Sequence, residues 1–530
     1  MVKILVSDPL GKGGLSILRK EKRFQVEERY GLKPDELKKI IRDYDAIVIR
    51  SGTRLTKDIL EAAERLRIIG RAGVGVDNVD LETATRRGII VMNTPEGNTI
   101  STAEHAFSLL MALARNIPQA CNHVKGGEWK KSQFTGSELN GKVLGIIGFG
   151  RIGREVAKRA VAFNMEVLAF DPFISKASVR EFPVKFKDLN SLLKMSDFIT
   201  VHTPLTSETK HLINTESLKL CKKGVRIINC ARGGIIDELA VVEGIKSGKV
   251  AGAAFDVFEK EPPPPDHPFF QMPQVICTPH LGAATGEAQE NVALDVARQV
   301  VDALADRAIK NAVNLPNLDP ETLKVLRPWL ALAEKLGKLH VQLFTGSVKT
   351  VTIRYGGELT KHNLEPLTIA VVRGLLTPIC GELVNYVNAM SLAKERGITV
   401  NESKSTAVRE FTSYIEVEIL QGDDSNRITG TFFGNQMARV VRINEYILDV
   451  DPTGYVLFIH NEDQPGVVGT IGSILGKNKI NIAEMSLGRV RKGKKMYAMT
   501  VINTDSEVPE RVLTEIKKFS LITNAKVVKF

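Results

Sequence analysis

The stretch VLGIIGFGRIGREVAKRAVAFNMEVLAFDP, residues 143–172, decides the fold. It opens with an unbroken aliphatic run, the pattern of a strand buried on both faces. It turns through Gly148-Phe149-Gly150-Arg151-Ile152-Gly153, takes up helical periodicity, and returns to a second apolar run that ends at Asp171. Strand, glycine turn, helix and strand make one unit of a doubly wound parallel sheet. In such a unit Gly148 permits the tight turn, Gly150 lets the backbone approach a pyrophosphate, and Gly153 lets helix and strand pack closely. The helix N-terminus offers free N–H groups and a positive dipole to phosphates. Asp171 lies 18 residues after Gly153, where a carboxylate bonds ribose hydroxyls and repels a 2′-phosphate. NAD is therefore expected, not NADP.

The alternation extends in both directions. Apolar runs at 3–8, 46–51, 67–73 and 89–94 precede this unit, and runs at 198–204, 225–233, 251–258 and 275–282 follow it. These are too many strands for one sheet of ordinary size, so two doubly wound units are expected. Residues 101–115 read as a bridging helix, with Ser101 as N-cap and Glu104 completing a capping box. A helix at 286–308 would return the chain. The expected division is a discontinuous substrate-binding unit, 1–97 with 283–314, and a nucleotide-binding unit, 98–282. The composition changes at Asn317-Leu318-Asp319-Pro320. Residues 315–452 read as an α+β domain, with helices at 321–343 and 365–389, a strand at 348–357, and paired strands turning near Gly422-Asp423-Asp424. Residues 453–530 read βαββαβ, the ferredoxin-like order.

The chain has 530 residues, 43% hydrophobic and 25% charged, which is ordinary for globular domains and excludes disorder as the main theme. Its net charge of +11 favours anionic partners. The basic residues are dispersed, and aromatics are only 6%. A phosphorylated or carboxylated metabolite therefore fits better than nucleic acid. Five cysteines without a CxxC pair exclude a disulfide scaffold and a zinc array, predict no metal site, and suit the cytoplasm. No long uncharged apolar run offers a membrane span.

His280 sits in Thr278-Pro279-His280-Leu281-Gly282, just past a strand. Arg232 and Glu261 follow two other strands. Ligands of open α/β sheets bind beyond the carboxyl ends of strands, so the three converge on one rim. Their chemistry suits oxidation of a 2-hydroxy acid. Arg232 would bind the carboxylate in a fork, His280 would take the hydroxyl proton, and Glu261 would fix the imidazole tautomer. The turns Arg50-Ser51-Gly52 and Arg71-Ala72-Gly73-Val74 add arginines and backbone N–H groups suited to carboxylate and phosphate oxygens.

These residues carry a resemblance. The segments GRAGVGVDNVD (70–80), NTPEGNTISTAEH (93–105), LGIIGFGRIGREVA (144–157), INCARGGIIDE (228–238), GAAFDVFEKEP (252–262) and TPHLGAAT (278–285) resemble the D-isomer-specific 2-hydroxyacid dehydrogenases. The resemblance implies catalytic roles for Arg232, Glu261 and His280. It implies NAD contacts at Arg151, Ile152, Asp171, Thr203, Cys230, Ala231, Asp256 and Gly282, with Asp256 facing the nicotinamide carboxamide. It also implies phosphate contacts at Arg50 and Arg71, and assembly as a homodimer or homotetramer. The extra length points to the long branch, which oxidises 3-phospho-D-glycerate in L-serine synthesis. A glyoxylate or hydroxypyruvate reductase, or an NAD-sensing corepressor on the same fold, are the alternatives. The tail, with HNEDQPG (460–466) and NIAEM (481–485), resembles an ACT domain. L-Serine is its expected effector, with Asn461, Asp463 and Asn481 as candidate ligands.

Overall fold

The computed structural model describes residues 1–174, 183–305, 307, 309–316, 320–405, 411–421, 424–434 and 437–530. Among them the strands form four sheets. Across the first, all parallel, run Phe24–Glu28, Val2–Val6, Ala46–Ile49, Ile68–Arg71 and Ile90–Met92. This is the flavodoxin-like order. The edge strand Phe24–Glu28 is missing from the sequence reading. Only Phe24 of FQVEE is buried, so no aliphatic run marks it.

Across the second sheet, also parallel, run Val275–Cys277, Val250–Phe255, Val225–Asn229, Phe198–Val201, Val143–Ile147, Glu166–Phe170 and Lys185–Phe186. The order reverses between Val143–Ile147 and Phe198–Val201, which is the switch point where dinucleotides bind in such sheets.

The helix Thr99–Arg115 bridges the two units. Its Ala103, Ala106, Phe107, Leu110 and Leu113 bury against Leu144, Ile146 and Ile228 of the second sheet. The expected capping box is not there. The helix begins two residues before Ser101, after Asn98, and Ser101 Oγ instead donates to Gly282 O at 2.9 Å. Glu104 pairs with Arg159. Ser101 thus ties the two chain crossings together, and Glu104 ties the bridging helix to the helix Arg151–Ala162. The helix Gly286–Leu304 returns the chain, with Val292, Val296 and Val300 packed on Ile4, Val48 and Ile68 of the first sheet.

The third sheet runs Thr399–Ser405, Val348–Gly357, Ser413–Gln421, Asp424–Phe433, Met437–Ile443 and Tyr446–Val450. The expected 317–320 break and the turn at 422–424 fall largely outside the described residues. One face of this sheet is covered by the helices Pro320–Leu343 and Glu365–Cys380. The expected helix over 365–389 is shorter, because Gly381 takes φ 68° and ends it. A side chain at either Gly337 or Gly374 would overlap the facing helix backbone, so these glycines set the close crossing.

The fourth sheet follows the ferredoxin-like order, with strands Tyr455–Glu462, Ile482–Lys492, Lys495–Thr504 and Ile522–Lys529 and helices Val467–Lys477 and Glu510–Lys517. It is joined to the third. Val456, Phe458, Val501 and Val528 share one hydrophobic core with Leu339, Leu343 and Val351. Tyr446 Oη and His460 Nε2 share a hydrogen bond of 2.6 Å, and Lys526 Nζ donates to Leu343 O at 2.7 Å. Among the described residues no helix is long and apolar enough to cross a membrane.

Candidate active site

The three glycines of the turn differ in backbone conformation and in the space around them. Gly148 has φ 90°, and a Cβ there would lie 2.5 Å from His202 O. A Cβ on Gly153 would overlap Gly148 O, whereas one on Gly150 would meet nothing. The open space at Gly150 faces the N-terminus of the helix Arg151–Ala162, which has no side-chain cap. Asp171 ends its strand with both oxygens held, by Phe149 N and Phe173 N at 2.9 Å each. Ile152, Thr203, Cys230, Ala231, Asp256 and Gly282 line one cavity of about 380 Å³. In its wall the Thr203 hydroxyl is buried without a partner. Burial lowers His202, on the same wall, to about 4, so its imidazole is neutral. The open space at Gly150, an unpartnered hydroxyl and a carboxylate just past a strand suit a dinucleotide. Arg151 is exposed and reaches Glu96 at 3.3 Å.

His280 Nδ1 lies 2.8 Å from Glu261 Oε2. The other oxygen of Glu261 accepts from Phe258 N at 3.1 Å. Burial raises the Glu261 carboxyl, but the hydrogen bond and charge of His280, with Phe258 N–H and Arg232, outweigh it and hold it below the usual range. His280 has φ 54°, which turns its side chain out of the strand direction. The loop that carries it is tied down by Asp256. That carboxylate, 1% exposed, accepts from Thr278 Oγ1 (2.6 Å), Leu281 N (2.7 Å) and Gly282 N (2.9 Å), and pairs with His105 (3.1 Å). Burial raises Asp256, and the hydrogen bonds of His105, Thr278 and Leu281 override it to a net lowering.

A second cavity of about 340 Å³ shares its Val74, Asp77, Arg232 and His280 walls with the first. Arg50, Ser51, Arg71 and Gly73 complete it, with Glu261. Gly73 has φ 144°, and any side chain there would overlap the Arg71 guanidinium. Arg71 Nε is buried without a partner. Burial, with the charges of Arg232 and Arg50, lowers Arg71 to about 10. Gly52 is the exception among the expected substrate residues. It faces Asp8, whose Oδ1 a Cβ would approach to 2.6 Å, and it supports the turn from behind.

Four further residues shape the site. Asp8 Oδ2 accepts from Arg50 N (2.6 Å) and Thr53 N (3.0 Å) and so holds the turn. Asp77 pairs with Arg232 at 3.0 Å. Asn98 lines both cavities with a buried, unpartnered Oδ1. His105 backs Asp256. Asp8 and Asp77 each follow a strand in the sequence, the same signal that marked Arg232.

The effector candidates are not gathered by hydrogen bonds. Asn461, 2% exposed, donates to Glu462 O and accepts from Thr500. Asp463 is paired with Arg489, and Asn481 donates to Asp505.

Residues 107–282 match the NAD binding domain of the D-isomer specific 2-hydroxyacid dehydrogenases. Residues 325–444 match the D-3-phosphoglycerate dehydrogenase intervening domain, and 455–520 the ACT domain. A D-3-phosphoglycerate dehydrogenase of Archaeoglobus fulgidus is 44% identical, covering 100% of this chain and 100% of that protein. The chain belongs to the D-3-phosphoglycerate dehydrogenase family. It is an NAD-dependent oxidoreductase with a C-terminal ACT domain. A family member from Bacillus subtilis is 42% identical, covering 100% of this chain and 99% of its own length. Among solved structures, D-lactate dehydrogenase from Aquifex aeolicus, complexed with NAD and lactic acid, is 29% identical at a TM-score of 0.52. It covers 57% of this chain and 96% of its own.

Proposed function

We propose that the chain oxidises the C2 hydroxyl of 3-phospho-D-glycerate to the ketone of 3-phosphohydroxypyruvate, the first step of L-serine synthesis. One observation carries this reading: Arg50, Arg71 and Arg232 line a single cavity with Glu261 and His280. A substrate with one carboxylate needs one guanidinium, whereas a phosphate at its far end calls for more. Arg232 takes the carboxylate, and Arg50 and Arg71 take the phosphate, beside the N–H groups around Ser51, Gly73 and Val74. His280 accepts the hydroxyl proton at Nε2, because Glu261 holds the proton at Nδ1. Glu261 then stabilises the imidazolium.

Gly150, Arg151, Ile152, Thr203, Cys230, Ala231 and Gly282 would hold the cofactor, with Asp171 for its ribose and Asp256 for its carboxamide. NAD bound there supplies the hydride acceptor. The ACT tail takes a small-molecule effector, L-serine, at Asn461, Asp463 and Asn481. The enzyme is a cytoplasmic homodimer or homotetramer, a setting its five free cysteines suit.

The test is an NADH-linked assay with 3-phosphoglycerate, glycerate and lactate. The expected result is a kcat/KM at least roughly tenfold higher for the phosphorylated acid, one charged hydrogen bond's worth. Equal values would overturn the reading in favour of an unphosphorylated 2-hydroxy acid.

A further inference from the structure

The Arg232 guanidinium donates two hydrogen bonds among the described residues. Its Nη1 donates to Ala231 O at 2.7 Å, and its Nε donates to Asp77 Oδ2 at 3.0 Å. Nε and Nη2 form one edge of a guanidinium, the edge that takes a carboxylate in a fork. The carboxylate on that edge comes from the protein itself, from the segment that follows the strand Ile68–Arg71 of the first sheet. Room has been left for it. A Cβ on Gly75 would overlap Arg232 Nη2 and lie 2.8 Å from Asp77 Oδ2. Asp77 is 73% exposed, and Arg232 is its only ion-pair partner among the described residues. It lines both cavities, at their shared wall.

We propose that Asp77 is a built-in competitor for the substrate carboxylate, occupying the binding edge of Arg232 until substrate displaces it. This rests on the reading of Arg232 as the carboxylate ligand. In the free enzyme Asp77 offsets part of the charge of the arginine cluster. A monovalent anion with one contact gains little by displacing it, whereas a bidentate carboxylate regains both bonds of the fork. Asp77 is thus a positioning and selectivity residue that acts through Arg232.

The probe is oxalate, titrated into full-length enzyme saturated with NADH and followed by nicotinamide fluorescence. Asp77→Asn, which keeps size and removes charge, should tighten oxalate roughly two- to five-fold, the range of an exposed ion pair. Asp77→Glu should bind it as the parent does. Arg232→Ala should weaken oxalate by roughly tenfold or more, and on that background Asp77→Asn should change nothing. Weaker or unchanged binding in Asp77→Asn overturns the proposal, as does tightening that persists without Arg232. Unchanged oxalate binding in Arg232→Ala would instead overturn the carboxylate role of Arg232.

Discussion

His280 Nδ1 and Glu261 Oε2 are 2.8 Å apart, and Nε2 of the same ring has no protein partner among the described residues. One nitrogen is committed and the other is free for a substrate hydroxyl. His280→Asn should bind NAD normally and lose roughly 10²- to 10⁴-fold in kcat, the usual range for a general base. Glu261→Gln should lose less. Its loss should fall on kcat, because the amide no longer fixes the His280 tautomer as the carboxylate does. Steady-state kinetics and NAD titration check both.

Asp256 should contribute to the acid sensitivity of the site. Its folded pKa is lowered, so its contribution is complete above the unfolded value and is lost as pH falls through the folded one. The loss therefore falls below the ordinary carboxylate range, beneath about pH 4. Asp256→Asn should cost about 1–3 kcal/mol at neutral pH, since an amide N–H would face a backbone N–H. The variant should also lack this acid-dependent loss. Thermal unfolding at several pH values reads both.

The two glycines of the nucleotide turn should fail differently. Gly153→Ala pushes a methyl into Gly148 O and should destabilise the fold by about 1–3 kcal/mol. Gly150→Ala enters open space at φ −72°, so its melting temperature should stay near the parent's. Its NAD dissociation constant should rise by roughly tenfold or more, about 1.4 kcal/mol. Calorimetric unfolding and NAD titration separate the two.

Arg71 is half-buried with a buried, unpartnered Nε, while the Arg50 side chain reaches only Pro9 O, at 3.3 Å, among the described residues. Arg71→Ala should raise KM for phosphoglycerate roughly 10- to 150-fold, the range of a charged hydrogen bond. Arg50→Ala should raise it less. Asp8→Ala should raise it too, by loosening the turn at 50–53 without touching substrate. KM values for glycerate should change less in all three variants.

In the tail, a serine ammonium must compete with Arg489 for Asp463. Titrating millimolar serine into the full chain should release heat, and Asp463→Ala should abolish it. No heat with the parent would remove serine as the ligand.

The βαβ alternation and the glycine turn were legible because burial on both faces dictates aliphatic runs. The strand ends were not. Expected runs at 67–73, 225–233 and 275–282 end at Arg71, Asn229 and Cys277. The residues beyond them include Gly73, Arg232 and His280, which are site residues. Small and apolar neighbours let loops close around a cavity, and in sequence they imitate a longer strand. The partners of these residues were harder to see. Asp77 and Arg232 are 155 positions apart, and Asp8 and Arg50 are 42 apart. Those contacts come from the fold, since no local pattern encodes them.

The last two sheets share one hydrophobic core, in which Phe458 and Val528 pack with Leu339 and Leu343. A cut at the junction near residue 453 would therefore bare the inner faces of both pieces. Deleting the tail should yield an aggregating remnant in place of an unregulated enzyme. In calorimetry the two C-terminal modules should melt in a single transition. A ligand bound at the tail would therefore act first on the neighbour that shares its core.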